Sequence, residues 1–309
     1  MHNVGVAYVH LNTKVKAIKR LMAGEAAATL ASEVGVTAAE VKSWKSEFES
    51  AGKARLKERF PAPSTRKKPP PDPSISSVAE ALEYAGPKPD QANTTYGRYL
   101  SDALAQVFAN ALRAHGFEGV LPDQHGRGLE SRALTSQGFK KLDVNYSTTE
   151  LGLGLGISIK SISFPDGSSG RYTKNYSRND NELRAEAMDY HQRQPYSVLA
   201  ACLFLPIDSC DDGAEGTGDE AGISSFGAAA KYFARRSPRR RPDAEVDLFE
   251  KMYLGLYDED GNAQFYDVES GLPPKDRRPS CGETFSFAEM IDGVVAVYNE
   301  RNNPAWESG

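Results

Sequence analysis

Six prolines stand among the thirteen residues 61–73, PAPSTRKKPPPDP. Proline fixes φ and lacks a backbone N–H, so this segment cannot form a helix or a central strand. Its composition favours an extended, semi-rigid linker. A second proline-bearing joint, GPKPD, follows a short helix expected at 77–84. The chain is therefore predicted to have a head at residues 1–60, a linker at 61–94 and a body at 95–309.

Charge is divided unevenly between these parts. The net charge is −5, but residues 1–70 carry thirteen Lys and Arg against six Asp and Glu, or +7, which leaves −12 on the rest. A basic head on an acidic body indicates that the head binds a polyanion. The sequence shows no run of eighteen apolar residues and no signal-peptide pattern, so no membrane partner is expected. Three cysteines without a CxxC pair favour a reducing, cytoplasmic location.

The head has the pattern of three short helices. Apolar residues recur at helical spacing near 13–23, and an alanine-rich stretch follows at 25–33. Gly35 supplies a turn. Thr37 and Glu40 then form a T-A-A-E capping box, which starts a third helix.

This third helix is predicted to have an inward and an outward face. Val41, Trp44 and Phe48 face inward, and the outward face carries Lys42, Ser43, Lys45 and Ser46. The stretch LASEVGVTAAEVKSWKSEF resembles the helix-turn-helix of transposase and resolvase DNA-binding domains. The resemblance implies that the third helix enters the major groove of DNA. The alternative is a protein-contact module whose lysines are only solvated.

The body alternates helix and strand patterns. A helix is predicted from Thr95 to Gly116, a short helix at 129–136, and strands at 141–146, 151–164 and 171–175. A polar helix at 179–194 precedes the run YSVLAACLFL at 196–205, which is apolar on both faces and should lie inside a sheet. A helix at 224–236, strands near 246–256 and 264–268, and a helix at 286–300 complete an α/β fold, a mixed sheet flanked by helices.

One acid and one lysine interrupt the apolar strand patterns. Asp143 stands in KKLDVNYS, and Lys160 ends the run GLGLGISIK. An acid and a lysine on neighbouring strands can converge at a wet sheet edge, where carboxylate oxygens suit Mg²⁺. The lysine can orient a water molecule and balance phosphate charge. These are the parts needed to hydrolyse a phosphodiester; the alternative is a turn acid and an edge lysine with no shared role.

These motifs and their order resemble the PD-(D/E)XK nuclease superfamily, which contains most Type II restriction enzymes. Its core is a helix, a three-stranded meander, a helix and a strand, with an acid on the second strand and acid-any-lysine on the third. The resemblance covers about residues 96–206 and implies a restriction-endonuclease-like fold that uses Mg²⁺ to cut double-stranded DNA. It implies catalytic roles for Asp143, also a metal ligand, and Lys160, and an accessory role for Glu130 in GLESRAL.

The sequence departs from that family at Ser158, which stands where the acid two residues before the lysine is expected. A hydroxyl is a poor substitute for a carboxylate ligand. In family members with Ser-any-Lys, a glutamate on the following helix supplies the carboxylate. Here Glu182 and Glu186 lie four residues apart on one helical face and are the candidate metal and catalytic residues, with Glu186 favoured because it lies deeper in the helix. Glu150 is a third candidate.

An arginine-rich segment, ARRSPRRRP, lies in the acidic body. Arginine forks suit phosphate oxygens, so Arg239 and Arg240 are predicted to contact the nucleic-acid backbone. The alternative is a solvated run of charges.

The features together predict a metal-dependent DNA endonuclease with a role in restriction, defence or mobile elements. Cutting of both strands would imply a homodimer. Two alternatives remain open. One is a non-catalytic helix-turn-helix regulator with a degenerate nuclease fold, and the other is an assembly protein that scaffolds its partners.

Overall fold

The chain forms two units, Met1–Pro69 and Pro70–Gly309. The computed structural model describes residues 11–59, 68–148, 152–213, 223–271, 278–280 and 282–302. Among the helices of these ranges, none combines the length and apolar character needed to cross a membrane.

The first unit contains three helices, as the sequence predicts: α1 (Leu11–Met22), α2 (Ala27–Val34) and α3 (Ala38–Arg59). Gly35 ends α2 with a φ of 73°, a left-handed conformation that glycine adopts without strain. The capping box is also confirmed. The Thr37 backbone N–H donates to Glu40 Oε2 over 2.8 Å, and the Glu40 N–H donates to Thr37 Oγ1 over 3.2 Å.

The three helices pack around a small apolar cluster. Leu30, Ala31 and Val41 are buried, and Trp44 packs against them. The prediction for Phe48 is wrong, because its side chain is 44% exposed. Among the described residues, the cluster on α3 ends at Trp44, one turn before Phe48.

The second unit begins before the predicted body. Ser77 and Glu80 form a capping box that starts α4 (Val78–Ala85). Ile75, Val78 and Ala81 are buried in the main core, so the predicted end of the linker at residue 94 is wrong. These residues pack because α4 lies against α5 (Thr94–Ala114), the first predicted helix of the body. Residues 61–67 of the predicted linker lie outside the described residues.

A hairpin and a five-stranded sheet follow α5. The hairpin consists of β1 (Ser131–Thr135) and β2 (Gly138–Leu142). The sheet has the order β3-β4-β5-β6-β7, formed by β3 (Val144–Thr148), β4 (Gly152–Ser161), β5 (Val198–Pro206), β6 (Lys251–Tyr257) and β7 (Ala263–Asp267). The pairs β4/β5 and β5/β6 are parallel, and both outer pairs are antiparallel. Every residue of β5 is buried, which confirms its predicted place inside the sheet.

Helices cover both faces of this mixed sheet. The core of one face includes residues of α4, α5 and α8 (Phe287–Asn302). The core of the other includes residues of α6 (Tyr176–Arg193), the crossover from β4 to β5, and of α7 (Ser225–Phe233), the crossover from β5 to β6. The α/β class predicted from the sequence is therefore confirmed.

Two local predictions for the second unit are wrong. Residues 131–135 form a strand rather than part of a helix, because Ala133 and Thr135 are buried at alternate positions and the chain turns back after Thr135. Residues 171–175 form turns instead of a strand. There the Tyr172 backbone N–H donates to the Ser225 side chain over 2.9 Å and is not paired with a neighbouring strand.

A buried ion network joins the ends of several elements. Arg239 is fully buried, with Nη1 3.0 Å from Glu250 Oε1, and Arg301 Nη1 lies 2.6 Å from the same oxygen. The other Glu250 oxygen accepts the backbone N–H of Leu199 over 2.7 Å. The predicted nucleic-acid contact by Arg239 is therefore wrong, since its guanidinium neutralises a carboxylate that β6 and β5 bury.

The neighbouring arginines are mostly paired as well. Arg236 is buried and binds Asp180 and Asp247. Arg240 is exposed and forms an ion pair with Glu269. The arginine-rich segment thus ties α6, β6 and the turn after β7 together, and only its exposed members remain available to a ligand.

The contrast between Arg239 and Arg240 gives a matched test. Arg239→Ala removes one partner of a buried carboxylate and should lower the free energy of unfolding by about 3–5 kcal/mol. Arg240→Ala breaks an exposed pair and should cost less than about 1 kcal/mol. Urea denaturation of both variants measures the difference, and equal midpoints would contradict the assigned network.

Candidate functional site

The alternation of strand β4 aims the candidate residues at α6. Ile157 and Ile159 lie in the core on the α5 side of the sheet, so Ser158 and Lys160 point to the opposite side. Asp143 lies between β2 and β3, next to Val144, whose partner across the antiparallel pair is Ile157. The sequence predicts one strand over 141–146, and the structure breaks it at Asp143.

A glycine allows this close arrangement. A Cβ atom on Gly156 would lie 2.9 Å from Leu142 Cδ1 and 3.0 Å from Leu199 Cδ2, both closer than packed carbons allow. Leu142 therefore packs directly onto β4, and Asp143 follows it. The space that a Cβ atom would need at Gly156 is filled by the side chains of Leu142 and Leu199.

Glu186 of α6 binds two polar residues of β4, Ser158 and Lys160. The Ser158 hydroxyl donates to Glu186 Oε2, and Lys160 Nζ lies 3.2 Å from Glu186 Oε1. Glu186 and Lys160 are each only 18% exposed. The helix that follows β4 thus brings a carboxylate to Ser158.

Glu182 lies one turn earlier on α6 and is further from the strand. Its Oε2 is 3.5 Å from Lys160 Nζ, and its other oxygen accepts a bond from Arg178 over 2.8 Å. Glu182 is 40% exposed. Of the two glutamates predicted as alternatives, Glu186 is the one in contact with both Ser158 and Lys160. Glu150 lies outside the described residues.

Asp143 has an unusual electrostatic environment. Burial is the largest effect and raises the pKa of the Asp143 carboxyl group to about 7, and the charges of Glu186 and Glu130 act in the same direction. The Ile159 N–H, 2.6 Å from Asp143 Oδ2, and the charge of Lys160 oppose this rise. Carboxyl groups whose pKa is raised in this way, by burial and by neighbouring acids, cluster at functional sites.

Lys160 stays charged in this environment. Burial alone would lower the pKa of its amine, but the carboxylates of Glu186 and Asp143 outweigh burial and raise the pKa above its ordinary value. At neutral pH the lysine therefore offers a positive charge and hydrogen-bond donors rather than a free base.

Glu130 lies at the margin of this cluster. It has a φ of 52°, in the turn before β1, and its Oε2 accepts a bond from Lys141 Nζ over 2.7 Å. Its charge contributes to the raised pKa of Asp143. The structure thus brings Glu130 near the site, with its carboxylate bonded to Lys141.

The donor set can be compared with the needs of a magnesium ion. In the described part of the chain, no group of three or more His, Cys, Asp or Glu side chains is arranged to hold a metal ion. Mg²⁺ commonly takes one or two carboxylates, with water and substrate phosphate completing its shell. Asp143 and Glu186 fit that requirement as hard oxygen donors, and their mutual repulsion is the kind that a cation relieves.

The first unit contains the other residues that are predicted to contact DNA. Lys42, Ser43 and Ser46 are exposed on α3, and Lys45 is partly exposed. Ser43 Oγ donates to Glu47 Oε1 over 3.0 Å. These side chains face solvent as predicted, and their contact with DNA remains a prediction.

The sequence does not anticipate the direct role of Ser158. The sequence motif predicts only that a carboxylate is missing at this position, but the Ser158 hydroxyl donates a hydrogen bond to the carboxylate of Glu186. A hydroxyl in place of the acid, followed by a helix with glutamates four residues apart, is the signal for this arrangement.

Comparisons of the chain with models of known protein families, with curated proteins and with solved structures found no match.

The raised pKa of Asp143 predicts a pH-dependent stability. The folded chain binds this proton more tightly than the unfolded chain, whose carboxyl pKa is about 3.9. Ionisation of Asp143 therefore destabilises the fold increasingly as the pH rises from about 4 to about 7. Asp143→Asn should raise the melting temperature by several degrees at pH 8, without added metal, and change it little at pH 4.

Asp166 provides a control of opposite sign. Bonds from Ser168 lower its pKa to about 2, so its ionised form stabilises the fold above about pH 4. Asp166→Asn should lower the melting temperature at pH 8. A melting temperature that is unchanged or lower in Asp143→Asn at pH 8 would contradict the assigned environment of Asp143.

Proposed function

We propose that this chain is a metal-dependent endonuclease that hydrolyses phosphodiester bonds of double-stranded DNA, with a restriction-endonuclease-like second unit. The observation that carries the proposal is the meeting of Asp143, Lys160 and Glu186 at one edge of the sheet. The order of elements also supports it: β3 and β4 are antiparallel, and α6 then connects β4 to the parallel strand β5. The nuclease superfamily places its acid and its lysine on strands connected in this way; here Asp143 immediately precedes β3, and Lys160 lies in β4.

In this proposal Asp143 and Glu186 would hold a Mg²⁺ ion. The ion would polarise the scissile phosphate and lower the pKa of a bound water molecule. Ser158 keeps Glu186 directed at the site through its hydroxyl, and the Ile159 N–H fixes one oxygen of Asp143. The two carboxylates are thereby positioned before substrate binds.

Lys160 supplies the positive charge of the mechanism. Its ammonium group would face the phosphate once substrate separates it from Glu186, and it would stabilise the negative charge that develops as water attacks phosphorus and the bond to the leaving oxygen breaks. The lysine also orients the attacking water through its N–H groups. Glu182 is the alternative carboxylate near Lys160, and Glu130 acts from outside through Lys141.

The first unit would hold the duplex. In a helix-turn-helix, side chains such as Lys42, Ser43, Lys45 and Ser46 of α3 would face the major groove. Double-strand cutting would require a homodimer, and the resemblance favours a role in restriction, defence or mobile-element processing.

One observation favours a second candidate, a non-catalytic DNA-binding regulator. Ser158 stands where the family has an acid, and within the described ranges no three His, Cys, Asp or Glu side chains are arranged to hold a metal ion. A gel shift whose affinity falls steeply with salt, together with intact plasmid in Mg²⁺ and Mn²⁺, would support the regulator. Weak, salt-insensitive DNA binding would argue for an assembly protein.

The nuclease proposal predicts a defined mutational pattern. Supercoiled plasmid incubated with the protein and Mg²⁺ should be nicked or linearised, and Asp143→Ala or Lys160→Ala should lower the rate at least about 100-fold. Glu186→Gln should do the same, whereas Glu182→Gln, four residues away on the same helix, should retain most activity.

A rescue variant tests why Glu186 is needed. Glu186→Ala removes the carboxylate, and adding Ser158→Asp returns one to the position where the family has it. The double variant should recover part of the lost activity if the carboxylate serves as a ligand. Full activity in Asp143→Ala or Lys160→Ala, each verified as folded, would refute the site.

A further inference from the structure

The β1–β2 hairpin has an outer face whose side chains are exposed to solvent in the described part of the chain. Its register pairs Arg132 with Lys141 and Leu134 with Phe139. All four side chains are exposed, Phe139 by 67% and Leu134 by 37%. A cationic pair and an apolar pair therefore stand side by side on a two-stranded ribbon that is separate from the main sheet.

The inner side of the same hairpin is fixed to α6. The Ser136 N–H donates to the carbonyl of Asp189 over 3.0 Å, and the Tyr190 hydroxyl donates to the carbonyl of Lys140 over 2.9 Å. The Lys140 ammonium forms an ion pair with Asp189. These bonds hold the ribbon in place, so its outer face is presented without a large ordering cost.

The hairpin leads directly into the candidate site. β2 ends at Leu142, the residue before Asp143, and Lys141 is bonded to Glu130 at the margin of the site. A polymer that places a phosphate beside Asp143 would therefore pass close to the outer face of the ribbon.

We propose that this outer face lies in a groove of the duplex beside the scissile phosphate. The choice of duplex DNA as the ligand of this face rests on the proposed nuclease function. The major groove admits a two-stranded β-ribbon, and apolar side chains there contact base edges such as the thymine methyl group. Arg132 and Lys141 have the charge to bind the flanking phosphates. The exposed Lys141–Glu130 pair is weak enough to exchange for a phosphate.

A second copy of the chain fits this face less well. Antiparallel contact between two such ribbons would bring Arg132 and Lys141 close to their own counterparts, which is repulsive. Four side chains also cover far less than the roughly 800 Å² per partner of a stable protein interface. The positive charge and the small area of this face therefore favour duplex DNA over a second copy of the chain as its ligand.

Photo-crosslinking tests the contact locally, in the full chain. Phe139→p-benzoylphenylalanine is irradiated with a mixed-sequence duplex in EDTA, so that no cleavage is required. The matched control is Tyr196→p-benzoylphenylalanine, because Tyr196 is an aromatic residue of similar exposure, 64%, before the start of β5. A covalent protein–DNA adduct is expected from position 139 and not from position 196.

Equilibrium binding separates the two kinds of contact. Phe139→Ser should weaken duplex binding about tenfold without changing the slope of affinity against salt concentration. Arg132→Ala should reduce that slope by about one, as expected for one phosphate contact. Tyr196→Ser should change neither quantity.

The outcomes distinguish the ribbon from the nuclease. Plasmid cleavage by a protein that gives no adduct at position 139 would overturn the proposed contact of the hairpin with DNA and leave the proposed nuclease function intact. An adduct at position 139 without any cleavage would support the contact of the hairpin with DNA and refute the nuclease function. The proposed contact of the hairpin with DNA would be overturned by any of three results: adducts between two copies of the chain, equal adducts from positions 139 and 196, or no binding of duplex.

Discussion

The contact of Glu186 with Ser158 and Lys160 is the constraint on which the candidate site depends. It is made by a mostly buried carboxylate that reaches from α6 onto β4. Removing it would leave a shielded lysine without its main counter-charge, and a charge left unpaired in such a place is costly. The same contact ties α6 to the part of β4 whose Ile159 N–H bonds Asp143.

The site is charged but closely balanced. Asp143 holds its proton up to about pH 7, whereas Lys160 is kept protonated by the acids around it. A cation bound between Asp143 and Glu186 would release the proton of Asp143, and a phosphate would take up the charge of Lys160. Under the proposed function, joint binding of a divalent cation and a polyanion would therefore be favoured over binding of either alone.

Local patterns in the sequence predict much of this structure. The apolar run around β5, the capping box of α3 and the turn at Gly35 each follow from residues close together in the chain. Glu186 could be predicted only as the favoured one of three candidate carboxylates, because helix periodicity places Glu182 and Glu186 on one face and does not show which of them reaches Ser158. The burial of Arg239 could not be predicted, since its partner Glu250 is brought to it by tertiary packing. The hairpin at 131–142 could not be predicted from the sequence either, because its outer face carries apolar residues that a strand in the core would normally bury.

Anomalous diffraction from crystals soaked in Mn²⁺ tests the central claim most directly. The account predicts one strong peak per chain, within bonding distance of carboxylate oxygens of both Asp143 and Glu186, and its loss in Glu186→Ala but not in Glu182→Ala. No peak in the wild-type protein at this sheet edge, or a peak that survives Glu186→Ala, would contradict it.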